Sequence, residues 1–546
     1  MVHRIPRSVR LFAIVFLLFP SDQPLNLEAQ SADDACAVST PSGVVRGVLR
    51  GTGCTYLGIP YAAAPVGDLR WRPPQPKAPW APAVLSATVA PPSCPLINPP
   101  TTGVPSGNED CLMLNIWAPL RPARSPVIVW LHPGNFQAAS ANLAAANGER
   151  FAQERNAIVV APNYRLGPFG FLAHSALTLE DPAYRSSGNY GLLDQRAALA
   201  WVRDHIAAFG GDPGNVTIAG ASAGSQSVNF HLVSPASSGL FHKAIMQSGF
   251  VTARWTNARE AEAQGEQFAR ALQCTDARTG LACLRSKTRD QVLRALPLGQ
   301  RQLLESEAVQ WNPIVDGLEI PDQPRDLYRR GRFVRVPLIV GVNRDEGWTF
   351  VDQSFPGGLD AAQYETTVRN EFGADAPAVL GLYPASAFSS PKDALSQLIG
   401  DAEFACEARR VARLMSQARV DVYFYFFEHT VDAVTPGRAF HGLETNLVFG
   451  NNFAAPSNHV LTAEDLSVFR TISGYWGQFA GTGNPSSPGA ARWPLFRVDR
   501  YPILSDRFVV LDNTVSDANR FRERQCNFWD RYYFRSVIGT VPASAR

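Results

Sequence analysis

The chain has 546 residues and a formal net charge of +2, with 50 Lys and Arg against 48 Asp and Glu and no cluster of basic residues. That balance excludes the basic surface expected of a protein that binds nucleic acid. With 45% apolar residues, 18% charged residues and no low-complexity run, the composition is typical of a globular protein with a large buried core.

The N-terminus has the pattern of a secretory signal peptide. Three arginines precede the apolar run 11–19, which ends at Pro20. This run is shorter than the roughly 20 residues needed to span a bilayer, so we expect a cleaved signal over residues 1–29, cut near Ala29. A short membrane anchor is the alternative. The signal predicts a secreted or periplasmic protein with no transmembrane segment in the mature chain.

Strand-like apolar runs then alternate with longer helical segments, which is the pattern of a mainly parallel sheet. The runs are continuous rather than alternating, as expected for strands covered on both faces. The runs are 127–131, 158–161, 216–220, 244–247, 337–341 and 422–427, and the clearest helical segments are 189–209 and 401–417. No linker or repeat divides the mature chain. We therefore predict a single α/β domain over residues 30–546, with a large, mostly parallel central sheet and helices on both faces.

Strand 216–220 leads directly into Gly220-Ala-Ser-Ala-Gly224, with a helix predicted from Ala223. A Gly-x-Ser-x-Gly sequence at a strand-to-helix junction is the pattern of a nucleophile elbow. Small flanking residues permit the tight turn that projects the hydroxyl of Ser222, and the helix N-terminus offers free N–H groups to an oxyanion. The motif also occurs by chance, so a serine that only forms a turn is the alternative.

A nucleophilic serine needs a base, and of the nine histidines His132 and His441 remain as candidates once the others are discounted. The remaining histidines lie in the signal or in contexts typical of surface and packing positions: His3, His174, His205, His231, His242, His429 and His459. His441 lies in a loop after strand 422–427. We therefore favour His441 as the general base.

The carboxylate of Glu346 lies just past the end of strand 337–341. Parallel sheets gather their ligands beyond the carboxyl ends of their strands, where Ser222 and His441 are also expected. The chain order of serine, acid and histidine is that of triads built on such sheets. We therefore predict that Glu346 orients the histidine, although the adjoining Asp345 leaves open a solvated loop carboxylate.

The eight cysteines are an even number, and an exported protein can form disulfides. Cys36 lies close in sequence to Cys54, and Cys274 to Cys283, but spacing alone leaves the connectivity open. Neither Cys-x-x-Cys nor His-Glu-x-x-His occurs. We therefore expect no metal site and no cofactor.

Further motifs follow in order along the mature chain: Gly58-Ile-Pro-Tyr-Ala62, Gly67-Asp-Leu-Arg-Trp71, Glu109-Asp-Cys-Leu-Met-Leu-Asn-Ile-Trp117, Asn163-Tyr-Arg-Leu-Gly-Pro-Phe-Gly-Phe-Leu172, Gly188-Asn-Tyr-Gly-Leu-Leu-Asp-Gln195, Phe209-Gly-Gly-Asp-Pro213, Asn343-Arg-Asp-Glu-Gly347 and Phe440-His-Gly-Leu-Glu444. With the elbow, they resemble the type B carboxylesterases, which include cholinesterases, bile-salt-activated lipases and bacterial esterases. The resemblance implies an α/β-hydrolase fold, and it places the family's acid and histidine on Glu346 and His441.

The resemblance has further implications for pairing and for the site. It implies the disulfides Cys94–Cys111, Cys274–Cys283 and Cys406–Cys526, which leaves Cys36–Cys54 as the fourth. It points to Ser248 and Glu444 as buried polar residues behind His441, and to Trp255 as a wall of the acyl pocket. The alternatives are a polar group satisfied by backbone for the first two residues and plain core packing for Trp255.

Two departures from the family pattern bear on the substrate. Cholinesterases carry Glu before the nucleophile, where this chain has Ala221, and an aromatic platform in the loop 95–110, which here contains no aromatic residue. A quaternary ammonium group would lack its cation–π partner. The oxyanion loop after strand 127–131 also differs, since His132-Pro-Gly-Asn135 replaces the usual His-Gly-Gly-Gly at its first and third glycines. By position, the oxyanion hole would comprise the N–H groups of Gly134, Asn135 and Ala223.

These observations predict a serine carboxylesterase that hydrolyses small-molecule esters through an acyl-enzyme and prefers neutral to choline esters. Two alternatives remain open. One is a lipase that acts on acylglycerols, and the other is a non-catalytic, cholinesterase-like adhesion or binding module. The sequence leaves the oligomeric state undetermined.

Overall fold

The computed structural model describes Met1 and residues 35–97, 103–120, 122–249, 252, 254–296, 311–498 and 506–538, with side chains placed as far as residue 533. The predicted signal, residues 1–29, lies outside the described residues. Part of the loop 95–110 does as well.

The described strands build one large sheet and two small ones. The strands are Ala37–Thr40 (β1), Gly43–Arg46 (β2), Val48–Arg50 (β3), Gly53–Pro60 (β4), Val84–Ser86 (β5), Leu96–Ile97 (β6), Pro105–Ser106 (β7), Met113–Pro119 (β8), Ser125–Leu131 (β9), Ile158–Pro162 (β10), Gly211–Ala221 (β11), Lys243–Gln247 (β12), Leu338–Asn343 (β13), Val422–Phe427 (β14), Phe508–Leu511 (β15) and Ser516–Ala518 (β16). All six strands predicted from the apolar runs are present.

The large sheet has eleven strands in the order β16-β15-β14-β13-β12-β11-β9-β10-β8-β4-β3. The central strands from β15 to β10 pair in parallel, whereas β16 at one edge and β8, β4 and β3 at the other pair antiparallel. The predicted large and mostly parallel sheet is therefore confirmed. Because the central strands run in parallel, the carboxyl ends of β11, β12, β13 and β14 lie together along one side of the sheet, its carboxyl edge.

Both faces of the sheet are buried, which explains the continuous apolar runs. In β9, Val127, Val129 and Leu131 belong to one hydrophobic core, whereas Ile128 and Trp130 belong to a second core on the opposite face. Successive side chains of a strand point to opposite faces, so a strand covered on both sides must be apolar at every position.

Helices supply the two covering layers. The described α-helices are Glu149–Arg155 (α1), Gly167–Phe171 (α2), Ser175–Glu180 (α3), Tyr190–His205 (α4), Ala223–Val233 (α5), Ala258–Ala271 (α6), Gly280–Ser286 (α7), Arg289–Arg294 (α8), Pro324–Arg329 (α9), Trp348–Ser354 (α10), Ala361–Phe372 (α11), Ala376–Leu382 (α12), Pro391–Ile399 (α13), Cys406–Gln417 (α14), Leu443–Phe449 (α15), Ala463–Thr482 (α16) and Glu523–Ile538 (α17). Short 3₁₀ segments are Gly67–Leu69, Ala144–Ala146, Ile206–Phe209, Pro235–Ser237, Gly373–Asp375 and Ala385–Ala387, and Gly400–Ala405 is a π-helix.

The buried residues of each helix show which face of the sheet it covers. Apolar residues of α4, α5 and α14 join the first core, and those of α1, α15 and α16 join the second. A third, smaller core lies among α10 to α13 and α17. Both predicted helical segments are confirmed, with the difference that a π-turn joins α13 to α14 within the second one. None of the helices in the described ranges is both long and apolar enough to cross a membrane.

The structure contains four disulfides, of which three pair the cysteines that the family resemblance implies and one pairs the two cysteines that remain. They are Cys36–Cys54, Cys94–Cys111, Cys274–Cys283 and Cys406–Cys526. The Cys406–Cys526 disulfide joins the beginning of α14 to α17 across 120 positions of sequence. It therefore fixes the C-terminal helix to the smaller core.

Candidate active site

Ser222 occupies a strained turn between β11 and α5. Its backbone lies at φ 53° and ψ −122°, in a region that side-chain-bearing residues rarely adopt. Gly220 and Gly224 make the turn possible, because a Cβ on Gly220 would lie 2.5 Å from the carbonyl carbon of Gly224. The N–H of Ser222 donates to the carbonyl of Gln247 on β12 at 2.9 Å. Strand, sharp turn and helix are therefore arranged as the elbow motif predicts.

His441 and Glu346 lie in direct contact. The Nδ1 atom of His441 is 2.6 Å from Oε2 of Glu346, whose other oxygen accepts the backbone N–H of Asn343 at 2.6 Å. Glu346 is buried, with 1% of its side chain exposed, and His441 is 13% exposed. A buried carboxylate bonded to Nδ1 leaves Nε2 as the nitrogen that can take a proton from a nucleophile.

The adjoining Asp345 has a different set of partners. Its carboxylate accepts the backbone N–H of Ala439 at 2.9 Å and pairs with Arg344 and Arg438. The N–H of Asp345 donates in turn to the carbonyl of Ala439 at 3.0 Å. Asp345 therefore binds the loop that carries His441, and it is Glu346 that reaches the imidazole.

The three predicted triad residues follow strands whose carboxyl ends meet at one edge of the sheet. The register pairs Ala221 with Gln247 across β11 and β12, and Gln247 with Gly341 across β12 and β13. Asn343 pairs with Phe427 across β13 and β14. Ser222 and Glu346 lie just beyond these paired ends, and His441 lies further along the loop that follows β14.

The loop after β9 has a backbone suited to bind an anion. Gly134 and Asn135 have φ values of 114° and 52°, and the Gly134 carbonyl accepts the N–H groups of Gln137 and Ala138, both at 2.9 Å. Within the described ranges, neither the N–H of Gly134 nor that of Asn135 has a hydrogen-bond acceptor. A Cβ on Gly224 would lie 2.0 Å from the carbonyl of Leu131, so the N-terminus of α5, including Ala223, packs against the start of this loop.

His132 is buried and packs against Tyr164. Its ring stacks on Tyr164 at 4.2 Å between centroids, and its carbonyl accepts the hydroxyl of Tyr164 at 2.8 Å. Burial lowers the pKa of His132 to about 4, so the ring is neutral at physiological pH. Of the two histidines that sequence reasoning singled out, only His441 has a carboxylate partner.

A buried polar layer lies behind the Glu346–His441 pair. Glu444, 1% exposed, accepts the side-chain amide of Gln247 at 2.9 Å and that of Asn343 at 2.5 Å. Burial and then the nearby charge of Glu346 raise the pKa of Glu444. Ser248 is fully buried, and its N–H donates to the carbonyl of Gly341 at 2.9 Å. Both residues are buried, and their supporting role behind His441 stays a prediction.

Sequence reasoning missed Asn343 and Gln247. Asn343 binds Glu346 through its backbone N–H, and its side-chain amide donates to Glu444 and to the carbonyl of Phe440. Gln247 donates to Glu444 and accepts the indole N–H of Trp476 at 3.0 Å. Gln247 ends a predicted strand, and Asn343 lies two residues beyond the predicted run 337–341, at the end of the observed β13. A polar residue at or just after the end of an apolar run is the signal that could have indicated them.

Trp255 lies against the helix of the nucleophile. Its ring makes an edge-on contact with Phe230 of α5 at 4.7 Å between centroids, and its main chain is held by the side-chain amide of Gln323. These contacts fit core packing. Its role as a wall of the acyl pocket stays a prediction.

Comparison with known proteins agrees with this geometry. The sequence model described as "Carboxylesterase family" matches residues 34–529. The chain is 33% identical over 545 residues to the cholinesterase of Mus musculus, a match that covers 92% of this chain and 87% of that protein. The family match spans the elbow, the Glu346–His441 pair and the whole central sheet. The chain therefore belongs to the carboxylesterase family, the type B carboxylesterases of α/β-hydrolase fold, and is a carboxylic ester hydrolase.

Proposed function

We propose that Ser222, His441 and Glu346 form the catalytic triad of this esterase. The observation that carries the proposal is the 2.6 Å contact between Nδ1 of His441 and Glu346, at the sheet edge where the strained Ser222 leaves β11. A nucleophile, a base and an orienting carboxylate are the groups that acyl transfer through a covalent intermediate requires.

In the acylation step, Oγ of Ser222 attacks the ester carbonyl while Nε2 of His441 removes the hydroxyl proton of Ser222. Glu346 holds the ring in the tautomer that leaves Nε2 free, and it stabilises the imidazolium that forms. His441 then donates the proton to the departing alcohol. Water repeats the sequence on the acyl-enzyme and releases the carboxylic acid.

The tetrahedral oxyanion would be stabilised by the N–H groups of Gly134, Asn135 and Ala223. Two of them belong to the loop after β9 and have no acceptor in the described residues, and the third begins helix α5. Preorganised donors at the site where charge develops are often the largest single contribution to such a reaction. Pro133 lacks an N–H but is not one of the three donors.

Substitution of each triad residue tests the assignment. Ser222→Ala and His441→Ala should each lower kcat by roughly 10⁴–10⁶-fold, and Glu346→Gln by a smaller factor, about 10³–10⁴-fold. The matched control Ser238→Ala, at an exposed serine, should hydrolyse p-nitrophenyl acetate as the wild type does.

A fluorophosphonate probe separates an esterase from a binding module. It should label the peptide that contains Ser222, and Ser222→Ala should take up no label. Near-normal hydrolysis by purified, folded Ser222→Ala would refute the assignment.

We also propose that the enzyme prefers neutral esters to choline esters. Ala221, which precedes the nucleophile, is buried and uncharged, and the loop closed by Cys94 and Cys111 contains no aromatic residue. A quaternary ammonium group would find neither a carboxylate nor a π-face at these positions.

Butyrylcholine and 3,3-dimethylbutyl butyrate form a matched pair of substrates, because the second replaces the ammonium nitrogen by carbon at nearly the same size. The neutral ester should have the higher kcat/KM. Ala221→Glu should shift the ratio toward butyrylcholine. A wild-type kcat/KM at least tenfold higher for butyrylcholine would contradict the proposal.

We further propose that residues 1–29 direct export of the protein and are removed in the process. Four disulfides favour an oxidising compartment, because thiols are kept reduced in the cytosol. The intact mass of the exported protein should correspond to a chain that begins near residue 30 with no alkylatable thiol. A mature product that retained the arginine-rich segment, or that carried two or more free thiols, would disagree.

A further inference from the structure

Three residues spaced four apart along α13 and the π-turn after it lie near the Glu346–His441 pair: Ser396 in α13, and Gly400 and Phe404 in the π-turn. A Cβ on Gly347 would lie 2.0 Å from the carbonyl of Ser396 and 3.0 Å from the N–H nitrogen of Gly400. The ring of Phe404 lies 4.9 Å from the imidazole of His441 between centroids. One helical stripe therefore supports both members of the pair.

The π-turn is what keeps Phe404 on this stripe. An α-helix has 3.6 residues per turn, so a step of four residues overshoots one turn by about 40°. A π-turn, with i→i+5 hydrogen bonds, takes more residues per turn, so the same step falls short of one turn. The step from Ser396 to Gly400 is mostly α and that from Gly400 to Phe404 is π, so the two deviations offset each other. An uninterrupted α-helix would turn Phe404 about 80° from the direction of Ser396.

The aromatic contact around the base involves two phenyl rings. Phe404 is fully buried and is tilted 53° to the imidazole of His441. Phe350, on α10, lies 5.2 Å from the same imidazole and stacks on Phe404 at 5.7 Å with an interplanar angle of 12°. The imidazole is thus held by Glu346 at Nδ1 and by phenyl rings packed against it.

We propose that Phe404 is a positioning residue for His441, aimed at the imidazole by the π-turn Gly400–Ala405. The inference rests on the proposed role of His441 as general base. A base must stay within hydrogen-bond reach of the proton it removes, and a misplacement of 1 Å can cost about 10²-fold in rate. Among the described residues the imidazole has one hydrogen bond, to Glu346, and that bond by itself does not fix the plane of the ring. Phe404, whose ring packs against the imidazole, restricts the motion that this bond allows.

The test compares Phe404→Ala and Phe404→Leu with the control Phe372→Ala. Phe372 is a buried phenylalanine of the smaller core that packs on Trp529 and Tyr532, with ring centroids 5.6 and 5.8 Å away. Phe404→Ala should lower kcat per titrated active site by ~10–100-fold with KM changed less than about twofold, Phe404→Leu should retain most of kcat, and Phe372→Ala should match the wild type.

Active-site titration separates positioning from folding. A residue that only supports the fold would reduce the number of titratable sites and the thermal midpoint, and leave kcat per site unchanged. The hydrogen-bonded Nδ1–H proton of His441 gives a second readout, since its low-field NMR line should broaden in Phe404→Ala and stay sharp in Phe372→Ala. If Phe404→Ala fails to fold, Phe404→Val takes its place, because it also withdraws the ring.

The outcomes distinguish the two proposals. A folded Phe404→Ala or Phe404→Val protein with wild-type kcat per site, while His441→Ala is inactive, would overturn the positioning role alone. Full activity of His441→Ala would overturn the triad on which that role rests.

Discussion

The left-handed backbone of Asn135 decides how its role can be tested. Its φ of 52° is a conformation that asparagine tolerates and glycine adopts freely, whereas proline is restricted to about −65°. Proline would therefore remove the N–H and also distort the loop, so its effect on activity would be ambiguous. Glycine removes the side chain and keeps the N–H in place.

At this residue we predict that Asn135→Gly keeps its activity on a small aryl ester and gains relative activity on bulky tertiary-alcohol esters. An α-hydroxy acid analogue of Asn135, introduced by nonsense suppression, replaces the N–H by oxygen without a change of φ. It should lower kcat by roughly 10²–10³-fold, the usual effect of deleting one oxyanion donor. Steady-state kinetics check both. Full activity of the α-hydroxy acid protein would exclude the donor role, and an inactive Asn135→Gly would mean that the side chain takes part.

At the same scale, the sequence and the family resemblance favoured Glu346 as the acid. Asp345 adjoins it beyond β13, which left open that Glu346 is only a solvated loop carboxylate. In the structure the two carboxylates have different partners. Asp345 accepts the backbone N–H of Ala439, and Glu346 contacts the imidazole of His441. This choice depends on where a loop almost a hundred residues further along the chain is docked.

At the scale of elements, the packing of α5 on β9 is sensitive to one methyl group. A Cβ on Gly224 would lie 2.0 Å from the Leu131 carbonyl, a backbone atom at the end of β9 that cannot move by itself. Gly224→Ala must therefore push α5 away from the loop that follows β9. That motion would separate the N–H of Ala223 from those of Gly134 and Asn135, the other two proposed oxyanion donors.

We accordingly predict that Gly224→Ala lowers the free energy of unfolding by about 1–3 kcal/mol and lowers kcat at least tenfold. Urea unfolding and steady-state kinetics measure the two effects. Gly357→Ala is the matched control, because a Cβ there would have no atom within 4 Å. Equal stability and kcat for Gly224→Ala and wild type would show that the elbow can repack.

Helical periodicity predicted the segment 401–417 but not the π-turn at its beginning. A single extra residue in one turn leaves no clear mark on an apolar pattern, because the residues around it are buried on all sides. Its consequence appears only when the helix packs on Gly347 and directs Phe404 toward His441.

At the scale of the whole molecule, buried neutral histidines make stability depend on pH. Burial lowers the pKa of His132 to about 4, and burial with the charge of Arg196 lowers that of His231 to about 3. His231 bonds Ser237 and Gln195 through its two ring nitrogens. Above about pH 6.5, the ordinary pKa of histidine, both residues are neutral in the folded and in the unfolded protein, so protonation does not reduce the stability there. Below it the unfolded chain takes up protons that the folded protein does not.

Stability should therefore fall as the pH drops from 6.5 toward 4, by roughly 3 kcal/mol for each of these histidines, at about 1.4 kcal/mol per unit. His231→Gln, which keeps polar atoms for Ser237 and Gln195, should reduce that slope. Urea unfolding at pH 8, 6, 5 and 4 measures it. If the free energy of unfolding fell equally steeply with pH in the variant and in the wild type, His231 would have to be protonated or accessible to solvent in the folded protein.

The sequence by itself determined the mostly parallel sheet and the elbow, and it placed Ser222, Glu346 and His441 in their order beyond strand ends. Such features are local: apolar runs follow from burial on both faces, and a tight turn requires small residues. The cysteine pairs needed the family resemblance as well. Only the tertiary structure showed that Asp345 binds the main chain of Ala439 beside the Glu346–His441 contact, that Asn343 and Gln247 hold Glu444, and that Phe404 packs on the imidazole. These contacts join segments far apart in sequence, and they depend on reach and packing, which no local pattern records.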